Sequence, residues 1–226
     1  MDTAALELRV QQMMIQIVPF FGAIVFHEFG HGWMAKRWGD RTATDAGRLT
    51  LNPLVHIDPI GTVAIPIMNM VTGIPLLFGW AKPVPINPNR FRSYRQGLFW
   101  VSMAGPGSNI ILGFFSAILF SIFYKFIPEN FFLYEPLVKM TIAAVQINFA
   151  LAIFNLLPLP PLDGAKIVES IGNHQTAQIL RQVERFSFII LLALLWSNAL
   201  SFLGGPILLM THFALNLSTS LFGITL

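Results

Sequence analysis

Four stretches of this chain contain no Asp, Glu, Lys or Arg: residues 59–81, 96–124, 140–162 and 186–226. A helix needs roughly 20 apolar residues to cross a bilayer core about 30 Å thick, and each stretch is that long. Soluble domains carry about 25% charged residues. Here 11% of the 226 residues are charged and 54% are hydrophobic, with a mean hydropathy of +0.65. A soluble enzyme, a nucleic-acid module and a disordered chain all fit this pattern poorly, and an integral membrane protein in contact with the lipid bilayer fits it well. The formal charge of +3 bears on orientation in the membrane rather than on a nucleic-acid partner. Cysteine is absent, so a bound metal must be held by His, Asp or Glu.

The first apolar stretch runs from about Met13 to Met34. Glu7 and Arg9 stand where a signal peptide has its basic region, and the stretch ends in a polar cluster rather than a cleavage site, so it is expected to be retained. Residues 41–59 are polar and turn-rich, and Gly47–Leu51 alternates like a short strand. Ile60–Trp80 is apolar but broken by Pro66, Gly73 and Pro75. A basic stretch with Lys82, Arg90, Arg92 and Arg95 follows. Leu98–Phe123 and Leu137–Leu157 read as clean spans, and Ala165–Phe186 as a surface helix with a turn. The uncharged C-terminal run divides at Gly204-Gly205-Pro206 into two helices, the second short. The expected fold is an all-α polytopic membrane protein with about five transmembrane helices, a re-entrant segment and a short membrane-associated β element. It forms a single domain over 1–226, with a core at 13–170 and a C-terminal helical hairpin at 186–226, and the length leaves no room for a sizeable soluble module.

The chemistry concentrates in His27-Glu28-Phe29-Gly30-His31. Residues four apart share a helix face, so His27 and His31 converge on one point, suited to tetrahedral Zn²⁺. Glu28 can reach a metal-bound water without being a ligand. This is the H-E-x-x-H arrangement of zinc peptidases, in which the metal lowers the pKa of its water to about 7 and the Glu takes up the proton. Ionisable groups inside a membrane helix mark functional sites. A third protein ligand is needed, and His56, His174, His212 and the acids are candidates. Asp163 stands out because it ends a span behind Pro160-Pro161 and precedes Gly164, and irregular backbone at membrane depth must lie inside the protein or beside water.

Together with the first motif, Phe154-Asn155-Leu156-Leu157-Pro158-Leu159-Pro160-Pro161-Leu162-Asp163-Gly164 resembles the site-2 protease family, intramembrane zinc metalloproteases that cleave transmembrane substrates. The resemblance covers roughly residues 20–170. It implies one Zn²⁺ per chain held by His27, His31 and Asp163, with Glu28 as general base. Asn155 matches the family's Asn ahead of the Pro-rich Asp-Gly motif, and Gly105-Pro106 is shared as well. Ala165 and Lys166 depart from the common residues after Asp-Gly, and neither is a proposed ligand. The implied form is short, without a PDZ or CBS domain, and the implied role is regulated intramembrane proteolysis of transmembrane protein substrates. No oligomeric state is implied.

Orientation gives an independent check. His31 and Asp163 must lie on one side, so an even number of crossings separates them. Leu98–Phe123 and Leu137–Leu157 supply two, which leaves Ile60–Trp80 to dip in and return. Under this scheme Lys/Arg residues 36, 37, 41, 48, 82, 90, 92, 95, 166, 181 and 185 fall inside, and only 9, 125 and 139 outside, in agreement with the positive-inside rule. The expected location is the cell membrane, multi-pass, with the active site toward the cytoplasm. His56 and Asn109 are further candidates, either to line the substrate path or to hydrogen-bond the ligands from behind; a loop histidine and a helix-packing amide are the plainer readings. The competing function is a metal-ion transporter using His27, His31 and Asp163 in transit. Transporters commonly show repeated halves, and this chain has no internal repeat.

Overall fold

Alternating apolar runs and short polar connections produce a bundle built from helices. The computed structural model describes residues 3–64, 68 and 82–224. Helix α1 (Thr3–Arg37) carries Lys36 and Arg37 in its last turn, where cations complement the helix dipole. It stops at Gly39, whose φ of +107° suits a residue without a Cβ. Asp40 N–H donates to Ala35 O at 2.9 Å and Gly39 N–H to Lys36 O at 3.2 Å, the paired bonds of a Schellman cap. A single turn, α2 (Thr42–Asp45), follows.

Helices α3 (Tyr94–Phe126) and α4 (Tyr134–Asn155) form an antiparallel pair. Gly113 lies against the Phe149 ring, which a Cβ would approach to 2.9 Å. Phe149, Val145, Ala117 and Ala214 form one apolar core, and Ala35, Phe91, Leu98 and Val101 form another at the opposite end of α3. The expected surface helix with a turn is α5 (Asp163–Ile171) and α6 (His174–Glu184). Gly172-Asn173 separates them, and the Asn173 side chain caps α6 through Thr176 N–H. Helix α7 (Ser187–Trp196) and helix α8 (Gly204–Leu221) complete the described chain. Ser218 Oγ of α8 is 2.8 Å from Ser121 Oγ, and Lys125 Nζ donates to Phe222 O, so α8 runs parallel to α3.

Among the described residues, four helical segments are long and apolar enough to cross a bilayer: Gln11–Arg37, Tyr94–Phe126, Tyr134–Asn155 and Ala199–Leu221. Five spans are expected from the sequence, and a fifth does not occur among the described residues. At about 1.5 Å per residue, the 10 residues of α7 reach only about half of a bilayer core. The short member of the C-terminal pair is therefore the first, not the second. The break falls at Asn198, in a left-handed conformation with φ 56°, while Gly204-Gly205-Pro206 opens α8.

No strand occurs among the described residues. Gly47–Leu51, expected as a short β element, is turn and irregular chain. Arg48 spends its N–H on Ala43 O at 2.8 Å and its guanidinium on Lys82 O at 2.8 Å, so its groups go to a turn and a loop instead of a ladder. Most of the expected re-entrant segment, residues 65–67 and 69–80, lies outside the described residues. Its flanks do not: Lys82 N–H donates to His56 O at 2.9 Å. The chain thus leaves and returns at one place.

Candidate metal centre

His27, Glu28 and His31 sit within the membrane-spanning part of α1, and Asp163 is the first residue of α5. The turn from Leu156 to Leu162 folds the end of α4 back so that α5 starts beside α1. Gly164 makes this possible, because a Cβ there would overlap the carbonyl oxygens of both Leu156 and Leu157. The result is a triangle of atoms of the kinds that ligate metals. His27 Nε2 and His31 Nε2 are 3.0 Å apart, and Asp163 Oδ2 is 3.2 Å from the first and 3.1 Å from the second. All three residues are buried.

The other ring nitrogens show what these atoms offer. His31 Nδ1 donates to Val101 O at 2.7 Å, a carbonyl that can only accept. In the neutral ring, Nε2 then carries a lone pair and no hydrogen. His27 Nδ1 likewise faces Asn109 Oδ1 at 2.6 Å. Two imidazole lone pairs and a carboxylate oxygen therefore converge on one small volume, which is repulsive unless a cation lies among them. Ligands bound at about 2.0–2.1 Å in a tetrahedron stand about 3.3 Å from one another, close to the separations observed. The donor set fits zinc.

The packing is built around the rings. A Cβ on Gly105 would overlap the His31 imidazole and come within 2.7 Å of His27 Cε1. A Cβ on Gly30 would lie 2.8 Å from Ala104 O, so the two glycines let α1 and α3 cross in contact. Pro106 is inside α3 and removes the helical bond to Ser102 O, one residue from the carbonyl that accepts from His31. Lys166 Nζ reaches Asp163 Oδ1 at 3.4 Å, which leaves Oδ2 for the histidines.

A cavity of about 300 Å³ opens on the cluster, lined among others by Glu28, Val84, Asn155 and Lys166. Glu28 Oε2 accepts from Val84 N–H at 2.7 Å. Pro83 and Pro85 flank Val84 and have no N–H, so this is the one backbone donor of that tripeptide. Asn155 uses one amide hydrogen on Leu151 O at 3.0 Å and retains a second. His56 is not among the side chains that meet here. It is buried, its Nε2 donates to Thr50 O at 3.0 Å, and its carbonyl receives Lys82. Asn109 stands directly behind His27. Asn148, which the sequence reading passed over, stands behind Asn109: Asn109 Nδ2 donates to Asn148 Oδ1 at 2.9 Å. The available signal was an amide inside an uncharged span, a residue type that is rarely without function at that depth.

The model of peptidase family M50 matches residues 132–197, which include Asp163. The chain is 36% identical over 193 residues to "Putative zinc metalloprotease YwhC" of Bacillus subtilis, covering 85% of this chain and 84% of that protein. It is 28% identical over 185 residues to "Putative zinc metalloprotease Rip2" of Mycolicibacterium smegmatis, covering 82% and 68%. The Rip2 of Mycobacterium tuberculosis is 27% identical over 189 residues. No solved structure matches the chain. A multi-pass helical membrane protein with this donor set and these relatives belongs to peptidase family M50, the site-2 protease family of zinc metalloproteases.

Proposed function

We propose that the protein is an intramembrane zinc endopeptidase that hydrolyses peptide bonds within or near transmembrane segments of membrane-protein substrates. The observation that carries this is the meeting of His27, His31 and Asp163 beside Glu28 at a cavity within membrane-spanning helices. His27, His31 and Asp163 would hold one Zn²⁺ per chain. When bound, zinc lowers the pKa of the water it holds to about 7 and polarises the scissile carbonyl.

Glu28 is the general base. Val84 N–H occupies Oε2 and orients the carboxylate, so Oε1 is left to take the proton of the attacking water and pass it to the departing amine. The second amide hydrogen of Asn155 is the donor for the oxyanion that develops on the carbonyl. Lys166 and Val101 fix the carboxylate and the His31 ring, so the ligands need no rearrangement during reaction. A substrate helix must be unwound locally to enter. The whole chain 1–226 acts as one membrane-embedded unit in the cell membrane, with the site toward the cytoplasm, where the excess of Lys and Arg at that end of the bundle belongs.

Purified protein in proteoliposomes, incubated with a single-span reporter, tests the reading. Glu28→Gln should keep the metal and lower cleavage by about 10²–10⁴. Near-normal turnover by this variant would remove Glu28 as base. Zinc uptake into the vesicles with the reporter left whole would establish transport instead; the zinc-metalloprotease relatives do not favour that alternative.

A further inference from the structure

Behind His27 runs a chain of amides whose direction is set at both ends. Asn148 Nδ2 donates to Ala144 O at 2.8 Å. A carbonyl cannot donate, so Asn148 must turn Oδ1 toward Asn109, where it accepts from Nδ2 at 2.9 Å. Asn109 Nδ2 also donates to Ala23 O at 3.0 Å, a second obligate acceptor. Asn109 Oδ1 is therefore turned to His27 Nδ1, 2.6 Å away. Reversing the Asn109 amide would set its oxygen against two acceptors at once, in a site that is 0% exposed and within spanning helices. At a fully buried position that arrangement is strongly disfavoured.

We infer that Asn148 is a positioning residue for His27: it locks the Asn109 amide so that His27 holds its proton on Nδ1 and presents Nε2 to the metal. The inference rests on the reading of His27 as a zinc ligand. Partners behind a ligating histidine fix its tautomer and ring orientation, and their loss typically weakens metal binding about 10–100-fold. Interhelical amide bonds in membranes contribute only modestly to helix association, so a packing role by itself predicts a different pattern of effects.

Zinc affinity of the purified full-length chain, measured by chelator competition, is one readout. The tautomer of His27 is the other, read from ¹⁵N shifts of histidine-labelled metal-free protein. Asn148→Leu removes the acceptor and should weaken zinc binding about tenfold while moving His27 from pure Nδ1–H toward a mixture. Asn148→Asp should behave as wild type, because a protonated carboxyl is isosteric with the amide, donating to Ala144 O and accepting from Asn109. Asn148→Thr serves if the leucine variant fails to fold. Its hydroxyl can bond back to Ala144 O, as Thr141 does to Leu137 O, and it is too short to reach Asn109, so the same loss is expected. Wild-type affinity and tautomer in the leucine or threonine variant would overturn the inference, as would equal losses in the aspartate variant. Wild-type zinc affinity in His27→Ala would overturn the ligand reading and the inference with it.

Discussion

The His31 imidazole lies where a side chain on Gly105 would have to be. A Cβ there would overlap the ring, so this glycine is needed for space rather than for backbone freedom. Gly105→Ala should push both imidazoles out of register and abolish stoichiometric zinc binding, with cleavage lost in parallel. Gly107, two residues further on, has nothing within 4 Å of its Cβ position. Gly107→Ala should bind zinc normally and raise helix stability by up to about 1 kcal/mol. Metal analysis and thermal unfolding of the two variants check the contrast.

Each member of the ligand triangle should be indispensable. His27→Ala and Asp163→Ala are expected to purify without zinc, measured by inductively coupled plasma analysis, while Glu28→Gln retains one per chain. Full zinc content in Asp163→Ala would remove that carboxylate from the ligand set.

Asp40 ties the end of α1 to the basic segment. Its Oδ1 accepts from Thr42 N–H at 3.0 Å and its Oδ2 from Asn87 N–H at 2.7 Å. Burial by itself would raise its pKa, but the bonds from Thr42 and Asn87, with Arg90 nearby, lower it below the usual value. A carboxyl whose folded pKa is depressed contributes stability above its unfolded pKa of about 3.9 and loses it as pH falls through the folded value. Asp40→Asn should therefore be destabilised at pH 7, by about 1–3 kcal/mol for a compromised buried network. The gap in thermal midpoint between it and wild type should narrow on acidification through pH 4. A gap that widens would contradict the sign.

The flanks of residues 59–81 should be accessible from one side of the membrane only. Cysteines placed at Thr50 and Asn89 in this Cys-free chain should resist a membrane-impermeant thiol reagent in intact cells and react after lysis. Labelling of Asn89→Cys from outside, with Thr50→Cys protected, would place the flanks on opposite faces.

Much of the site was legible because its chemistry is local. Two histidines one turn apart with an adjacent Glu, and an Asp-Gly behind prolines, announce themselves by spacing. Asn148 has no such signature, since its partner is 39 residues away and only packing joins them. The spans were legible from missing charge, but their internal breaks were less so. Gly204-Gly205-Pro206 looks like a helix terminator, yet proline is tolerated in a first turn, where N–H groups have no helical partner, and here it opens α8. Alternation at Gly47–Leu51 suggested a strand because period alone cannot show whether a neighbouring edge exists; Arg48 bonds to Ala43 and Lys82 instead.

The bond from Lys82 N–H to the His56 carbonyl closes residues 57–81 into a loop with a fixed neck. The entropy of closing such a loop grows only with the logarithm of its length, about 0.6 kcal/mol per doubling. Its content can therefore be exchanged like a cassette. A longer, shorter or differently apolar insert would alter this segment alone, while the neck keeps the residues on either side in register with the histidines.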